Sequence, residues 1–155
     1  MTKPRLMILG VGNLLLRDEG VGVQVIKALE DRPLPAGIEL LDGGTLGIDL
    51  LAYISEAERI IVVDAVKGGG EPGAIYRLTP EILGQFKEQA LSLHQVGFLE
   101  VLDLSEQLGN RPEAIIYGIE PQVIDWGLEL TEPVQAAVPR VVELVLVEAE
   151  KMLKL

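Results

Sequence analysis

The sequence predicts one α/β domain spanning residues 1–155, built as a five-stranded, mostly parallel sheet with helices on both faces. Three observations carry this. Short apolar runs alternate with segments whose apolar residues recur at helical spacing. The runs are apolar at successive positions, as in strands buried on both faces, not alternately apolar and polar. Most of them stop at glycine or at an acid, so each strand leads into a tight turn.

Arg5–Leu9 is a buried strand that ends in the loop Gly10-Val-Gly12-Asn13. Asp18 is placed to cap a helix over Glu19–Glu30, with Val21, Val25, Ile26 and Leu29 on one face, and Arg32-Pro-Leu-Pro35 ends it. Ile38–Leu41 is a second strand, stopped by Asp42-Gly43-Gly44-Thr45, and Leu46–Ser55 reads as a helix. Arg59–Asp64 is a third strand, β-branched and apolar inside. The glycine-rich loop Lys67–Gly73 separates it from a weaker strand at Ala74–Leu78, too near for a crossover helix and therefore antiparallel. Thr79-Pro80-Glu81 opens a helix, and Ser92-Leu-His94-Gln95 has capping-box spacing for another reaching about Leu108. Ala114–Ile119 is the last strand, ending in Glu120-Pro121. Thr131 caps a long final helix, in which Pro139 predicts a kink or a late start.

Composition bounds the chemistry. With no cysteine there is no disulfide, thiol nucleophile or cysteine zinc site, and imidazole chemistry rests on His94 alone. The net charge of −11 argues against nucleic acid as a partner, because such binders need a basic face. The charge is uneven: −3 over residues 1–78 and −8 over residues 79–155. An acidic surface suits plain solubility first and a basic or cationic partner second. The apolar start at Leu6–Leu16 lacks a small-residue cleavage site, and the run near Val141–Val147 contains Glu143. The expectations are a cytoplasmic monomer with no membrane contact.

Ligands of such sheets bind outside the carboxyl ends of the strands. Asp18, Glu19, Asp42, Asp64 and Glu120 fall on that edge, and His94 opens a helix. Clustered carboxylates are costly unless a cation joins them. Oxygen donors plus one nitrogen suit a borderline divalent metal such as zinc or nickel. A helix N-terminus disfavours the imidazolium, leaving His94 in the neutral form that binds metal. Singly, each residue also has a plain reading as a cap, a turn former or a solvated charge. Other chemistries fit less well. Leu15 replaces the third glycine of a dinucleotide loop, and Asp18-Glu19 would repel a pyrophosphate. Neither GxxxxGK[ST] nor GxSxG occurs.

Four separated blocks resemble the hydrogenase maturation endopeptidases: Gly10–Gly22 (GVGNLLLRDEGVG), Asp42-Gly43-Gly44-Thr45, Val62-Val63-Asp64-Ala65 and Ser92-Leu93-His94. Gly118-Ile-Glu-Pro121 is similar to a variant of the family's last strand end. The resemblance covers nearly the whole chain. It implies a five-stranded, mostly parallel sheet and removal of the C-terminal extension of a nickel–iron hydrogenase large-subunit precursor after nickel insertion. It places the metal contacts on Glu19, Asp64 and His94, with Asp42, Glu19 and Asp64 as the catalytic acids. The nickel would come with the substrate, and zinc or cadmium would occupy the same site in a crystal. The metal would polarise the scissile carbonyl or generate a hydroxide nucleophile, with Asp42 orienting water or acting as base. Two other readings share these features. One is a non-catalytic metal-sensing or chaperone module that binds the loaded precursor. The other is peptidyl-tRNA hydrolase, which is similar at the GxGN loop but requires the basic surface this chain lacks.

Overall fold

The computed structural model describes residues 6–44, 47–85 and 93–154, with the side chains of residues 47–48, 93–94 and 96–97 outside that description. The strands are β1 (Leu6–Val11), β2 (Ile38–Gly44), β3 (Arg59–Ala65), β4 (Ile75–Leu78) and β5 (Glu113–Ile119). The helices are α1 (Val21–Glu30), α2 (Leu51–Ile54), α3 (Pro80–Gly84), α4 (Leu93–Gln107) and α5 (Glu132–Leu153). The sheet order is β2-β1-β3-β5-β4, parallel except for β4, which pairs antiparallel with β5 as its short connection requires.

The strands' period of two divides the apolar side chains between two cores. Leu6 and Ile8 of β1, Ile61 and Val63 of β3, and Ile115, Tyr117 and Ile119 of β5 face α1 and α5. Met7 and Leu9, Ile60 and Val62, and Ala114 and Ile116 join Leu50, Ile54, Leu83, Phe98, Val101 and Leu102 on the other face. Both faces of β1, β3 and β5 are therefore dry, which explains their unbroken apolar runs. The β2 edge strand stays half-exposed.

The glycines at the end of β1 set how closely α1 approaches. A Cβ at Gly10 would lie 2.5 Å from the Gly22 carbonyl oxygen, and one at Gly22 would lie 2.2 Å from the Val63 carbonyl oxygen. The first turn of α1 thus rests on the backbones of β1 and β3, with no side chain between.

Two helical expectations change, and one of the two alternatives at Pro139 is excluded. α1 begins at Val21, because Arg17–Gly20 forms a 3-10 turn and Asp18 makes no cap bond to the helix. The predicted Leu46–Ser55 helix is divided into a 3-10 turn, Gly47–Leu50, and the short α2; Thr45 and Leu46 lie outside the described residues. α5 starts at Glu132 despite Pro139, so the late start does not occur. Pro139 lies on the exposed side of the helix. The Thr79 cap is as expected, its Oγ1 accepting from the Ile82 amide at 3.2 Å. Ser92 lies outside the described residues.

Glu148 of α5 binds the β4–β5 edge: its Oε1 accepts from Arg77 Nε at 2.6 Å and from the Tyr117 hydroxyl at 2.7 Å. Burial, and then the bond to Glu148, push the Tyr117 hydroxyl up to about 12. No helix among the described residues is long and apolar enough to cross a membrane.

Gly22→Ala tests the close approach. In an open helix, alanine stabilises by about 1 kcal/mol over glycine. Here the new methyl meets the Val63 carbonyl, so the substitution should destabilise by roughly 1–3 kcal/mol in denaturant titration.

Candidate active site

β1 pairs with both β2 and β3, so the chain winds one way from β1 and the other way after β3. The strand order therefore reverses at the β1–β3 crevice, where open α/β sheets bind ligands. The loop after β1 and the last residues of β3 line it.

Gly12 follows β1 with φ at +129°, in the region that favours glycine, and its amide donates to the Gly44 carbonyl at 2.9 Å. A Cβ on Gly12 would fall 1.9 Å from the Glu19 carbonyl oxygen and 3.7 Å from Asp64 Oδ1. The turn that carries Glu19 and the Asp64 carboxylate thus meet around one glycine. Arg17, the residue that turns the chain into this segment, has φ at +49°, a strained conformation for an arginine.

Asp64 is buried. Its Oδ1 accepts from the Ala65 amide at 2.8 Å, and its Oδ2 accepts from Gln95 Nε2 at 3.1 Å. Gln95 Nε2 also donates to the Ala65 carbonyl at 2.6 Å. Both hydrogens of a buried amide are therefore spent on fixing the carboxylate and the backbone beside it, the kind of support that orients a metal ligand. Because Gln95 belongs to α4, the first turn of α4, with the His94 backbone, stands at the Asp64 edge of the sheet. The His94 side chain lies outside the described residues. Among the described residues no three acids or histidines form a metal-holding cluster; what meets at this crevice is the Glu19 backbone carbonyl and the Asp64 carboxylate.

Asp42 ends β2 as an exposed side chain, and its Oδ1 accepts from the Gly44 amide at 3.0 Å, the turn-forming role its sequence also fits. It lines an open cleft of about 200 Å³ with Gly12, Asn13, Leu14, Val23 and Gly44. The cleft runs from Asp42 to the Gly12 loop, so an extended peptide lying in it would pass beside the crevice.

The hydrogenase maturation protease (HycI) family model matches residues 23–148. This chain belongs to that family. It is 38% identical over 144 residues to the hydrogenase expression/formation protein HupD of Rhizobium leguminosarum, covering 90% of this chain and 71% of the relative. It is 36% identical to the hydrogenase 2 maturation protease of Escherichia coli, covering 92% of this chain and 88% of that one. The solved structure of the hydrogenase maturating endopeptidase HybD from E. coli superposes with a TM-score of 0.86 at 34% identity, over 95% of this chain and 93% of that one. Family membership makes the chain a peptidase of hydrogenase maturation.

In this family member, two of the five expected edge carboxylates are structural. Asp18 is fully buried. Its Oδ2 accepts from the amides of Gln122 and Val123, each at 2.9 Å, and from Thr131 Oγ1 at 2.7 Å. Its Oδ1 accepts from the Thr131 amide at 2.8 Å. Burial opposes ionisation, but these bonds outweigh it and hold Asp18 below the ordinary carboxylate value. Thr131 is accordingly the N-cap residue of α5 without a side-chain cap bond. Glu120 Oε1 accepts from the amides of Gly68 and Gly70 at 2.8 and 3.1 Å and from the Tyr76 hydroxyl at 2.6 Å, bracing the glycine loop. Sequence reasoning missed Gln95. Its one signal was a polar side chain beside the histidine in a helix that covers the sheet edge.

Asp18→Asn would turn an amide hydrogen toward backbone donors and should cost roughly 2–3 kcal/mol, since hydrogen bonds to a charged group are the strong ones. The ionised Asp18 contributes stability above its ordinary value of 3.8, and that contribution is lost as pH falls through its lower folded value. The wild type should therefore lose stability on acidification below 3.8 more steeply than Asp18→Asn, as read by denaturant midpoints across that range.

Proposed function

We propose that this protein is an endopeptidase that removes the C-terminal extension of a nickel–iron hydrogenase large-subunit precursor after nickel insertion, with the bound nickel as the recognition signal. The observation that carries the reading is the meeting of the Glu19 turn and the Asp64 carboxylate around Gly12, at the point where the strand order reverses. Membership of the maturation protease family supports the reaction class. Nickel is the substrate's own ion, and Glu19, Asp64 and His94 would complete its coordination. Two carboxylates and a neutral imidazole suit a borderline cation, and the absence of cysteine leaves the softer ligands to the precursor.

In this reading the peptide lies along the cleft with its scissile carbonyl toward the crevice. The nickel supplies positive charge at that carbonyl. Gln95 keeps Asp64 oriented toward the ion. Asp42, the acid that stays exposed in the cleft, holds the attacking water and takes its proton. Water attack ranks above a covalent carboxylate route. The amine of the released extension leaves with the proton.

Mass spectrometry should find C-terminal shortening with nickel-loaded precursor and none with nickel-free precursor. Equal cleavage of both rejects nickel as the signal, and binding without any mass change favours a chaperone role. His94→Ala should abolish cleavage and fold normally. Asp42→Asn preserves the turn to Gly44 while removing the charge, so kcat should fall by roughly a hundredfold with the precursor still bound.

A further inference from the structure

We infer that the loop from Gln122 to Leu130, together with Leu15, is a docking surface for the folded body of the protein substrate, separate from the cleft that takes its C-terminal peptide. The identity of the partner rests on the proposed function; the surface itself rests on exposure, rigidity and charge.

Trp126 is 76% exposed, Leu128 67%, Leu15 53% and Ile124 39%. These side chains lie on two segments that are hydrogen-bonded to each other. The Gly127 amide donates to the Leu15 carbonyl at 2.9 Å, the Arg17 amide donates to the Gly127 carbonyl at 3.0 Å, and Leu16 and Gly127 form a parallel bridge. Leu15 therefore stands beside the Trp126–Leu128 segment. Arg17 Nε donates to the Glu129 carbonyl at 3.1 Å, so its aliphatic stem lies along the loop. At Gly127 a Cβ would meet that stem at 3.0 Å. The four bonds that Asp18 accepts fix the loop from both ends.

A surface held this firmly has no structural need for an exposed tryptophan between two exposed aliphatic residues. Exposed apolar groups gathered on one fixed surface mark interaction sites, and tryptophan is a preferred anchor of protein interfaces. Position names the occupant: the bridge at Leu16 precedes Glu19 by three residues, so whatever sits on Trp126 lies next to the crevice. Charge names its chemistry. From Glu120 to Glu132 there are four acids and no lysine or arginine, and the exposed Asp125, Glu129 and Glu132 outnumber Arg17, the cation that lies along the loop. The surface suits an apolar patch rimmed by lysine or arginine on a folded protein. Part of the acidic excess of residues 79–155 thereby acquires a role.

The test compares wild type, the Trp126→Ala/Leu128→Ala double variant and Leu108→Ala. Leu108 is as exposed, at 70%, but follows α4 at its other end. Kd for intact nickel-loaded precursor is measured by titration, and kcat and KM by mass-resolved cleavage. In the double variant Kd and KM should rise roughly tenfold or more, with kcat at saturation within about twofold of wild type and Leu108→Ala unchanged. Unaltered Kd and KM in the double variant overturn the inference. So does a wild type that fails to bind the precursor, or a wild-type dimer that the double variant converts to a monomer with precursor affinity intact. A wild type that binds but never cleaves defeats the proposed function alone, and the Kd comparison still decides the docking surface.

Discussion

The contact between the first turn of α1 and the backbones of β1 and β3 governs the rest of this structure. Gly10 and Gly22 remove the side chains that would hold helix and sheet apart. Their closeness carries the preceding turn, Arg17–Gly20, down over the crevice where the strand order reverses, and Gly12 lets that turn settle against β1 and Asp64. Glu19 then arrives at the crevice as part of the backbone packing, not at the end of a mobile loop. Asp18, one residue earlier, ties the same turn to the loop before α5.

Electrostatics divides the acids at this edge into two groups. Asp18 and Glu120 are surrounded by amide and hydroxyl donors, which make their charge tolerable within the protein. Asp64 accepts from the Ala65 amide and from Gln95, which orients it as well as stabilising it. Asp42 forms a turn and remains exposed in the cleft. On the proposed reading, the cation that relieves the remaining repulsion arrives with the substrate, and its absence leaves the enzyme unable to organise the reaction. That is a physical basis for cutting only loaded precursor.

Much of this was legible in the sequence where the determinants are local. The apolar runs of β1, β3 and β5 gave their positions to within two residues, because burial on both faces forces continuous hydrophobicity. The antiparallel β4 followed from the length of its connection. The helix starts were less legible. Asp18 has the local pattern of a cap, but its partners lie 104 to 113 residues away, and no local pattern encodes them. Thr131 likewise spends its hydroxyl on Asp18. Five acids stand out at strand ends and turns in the sequence, but which of them become structural braces depends on which backbone amides the fold delivers. The Trp126 loop carried no periodicity, and its role rests on a bridge to a segment far away in sequence.

The central claim is that Glu19, Asp64 and His94 form one cation site at the β1–β3 crevice. Anomalous diffraction from crystals grown with nickel or cadmium tests it most directly. One dominant peak should appear, bonded to a carboxylate oxygen of Glu19, a carboxylate oxygen of Asp64 and an imidazole nitrogen of His94, at donor distances of about 2.0–2.4 Å. A peak bound elsewhere, or one at the crevice that His94 does not ligate, would contradict it.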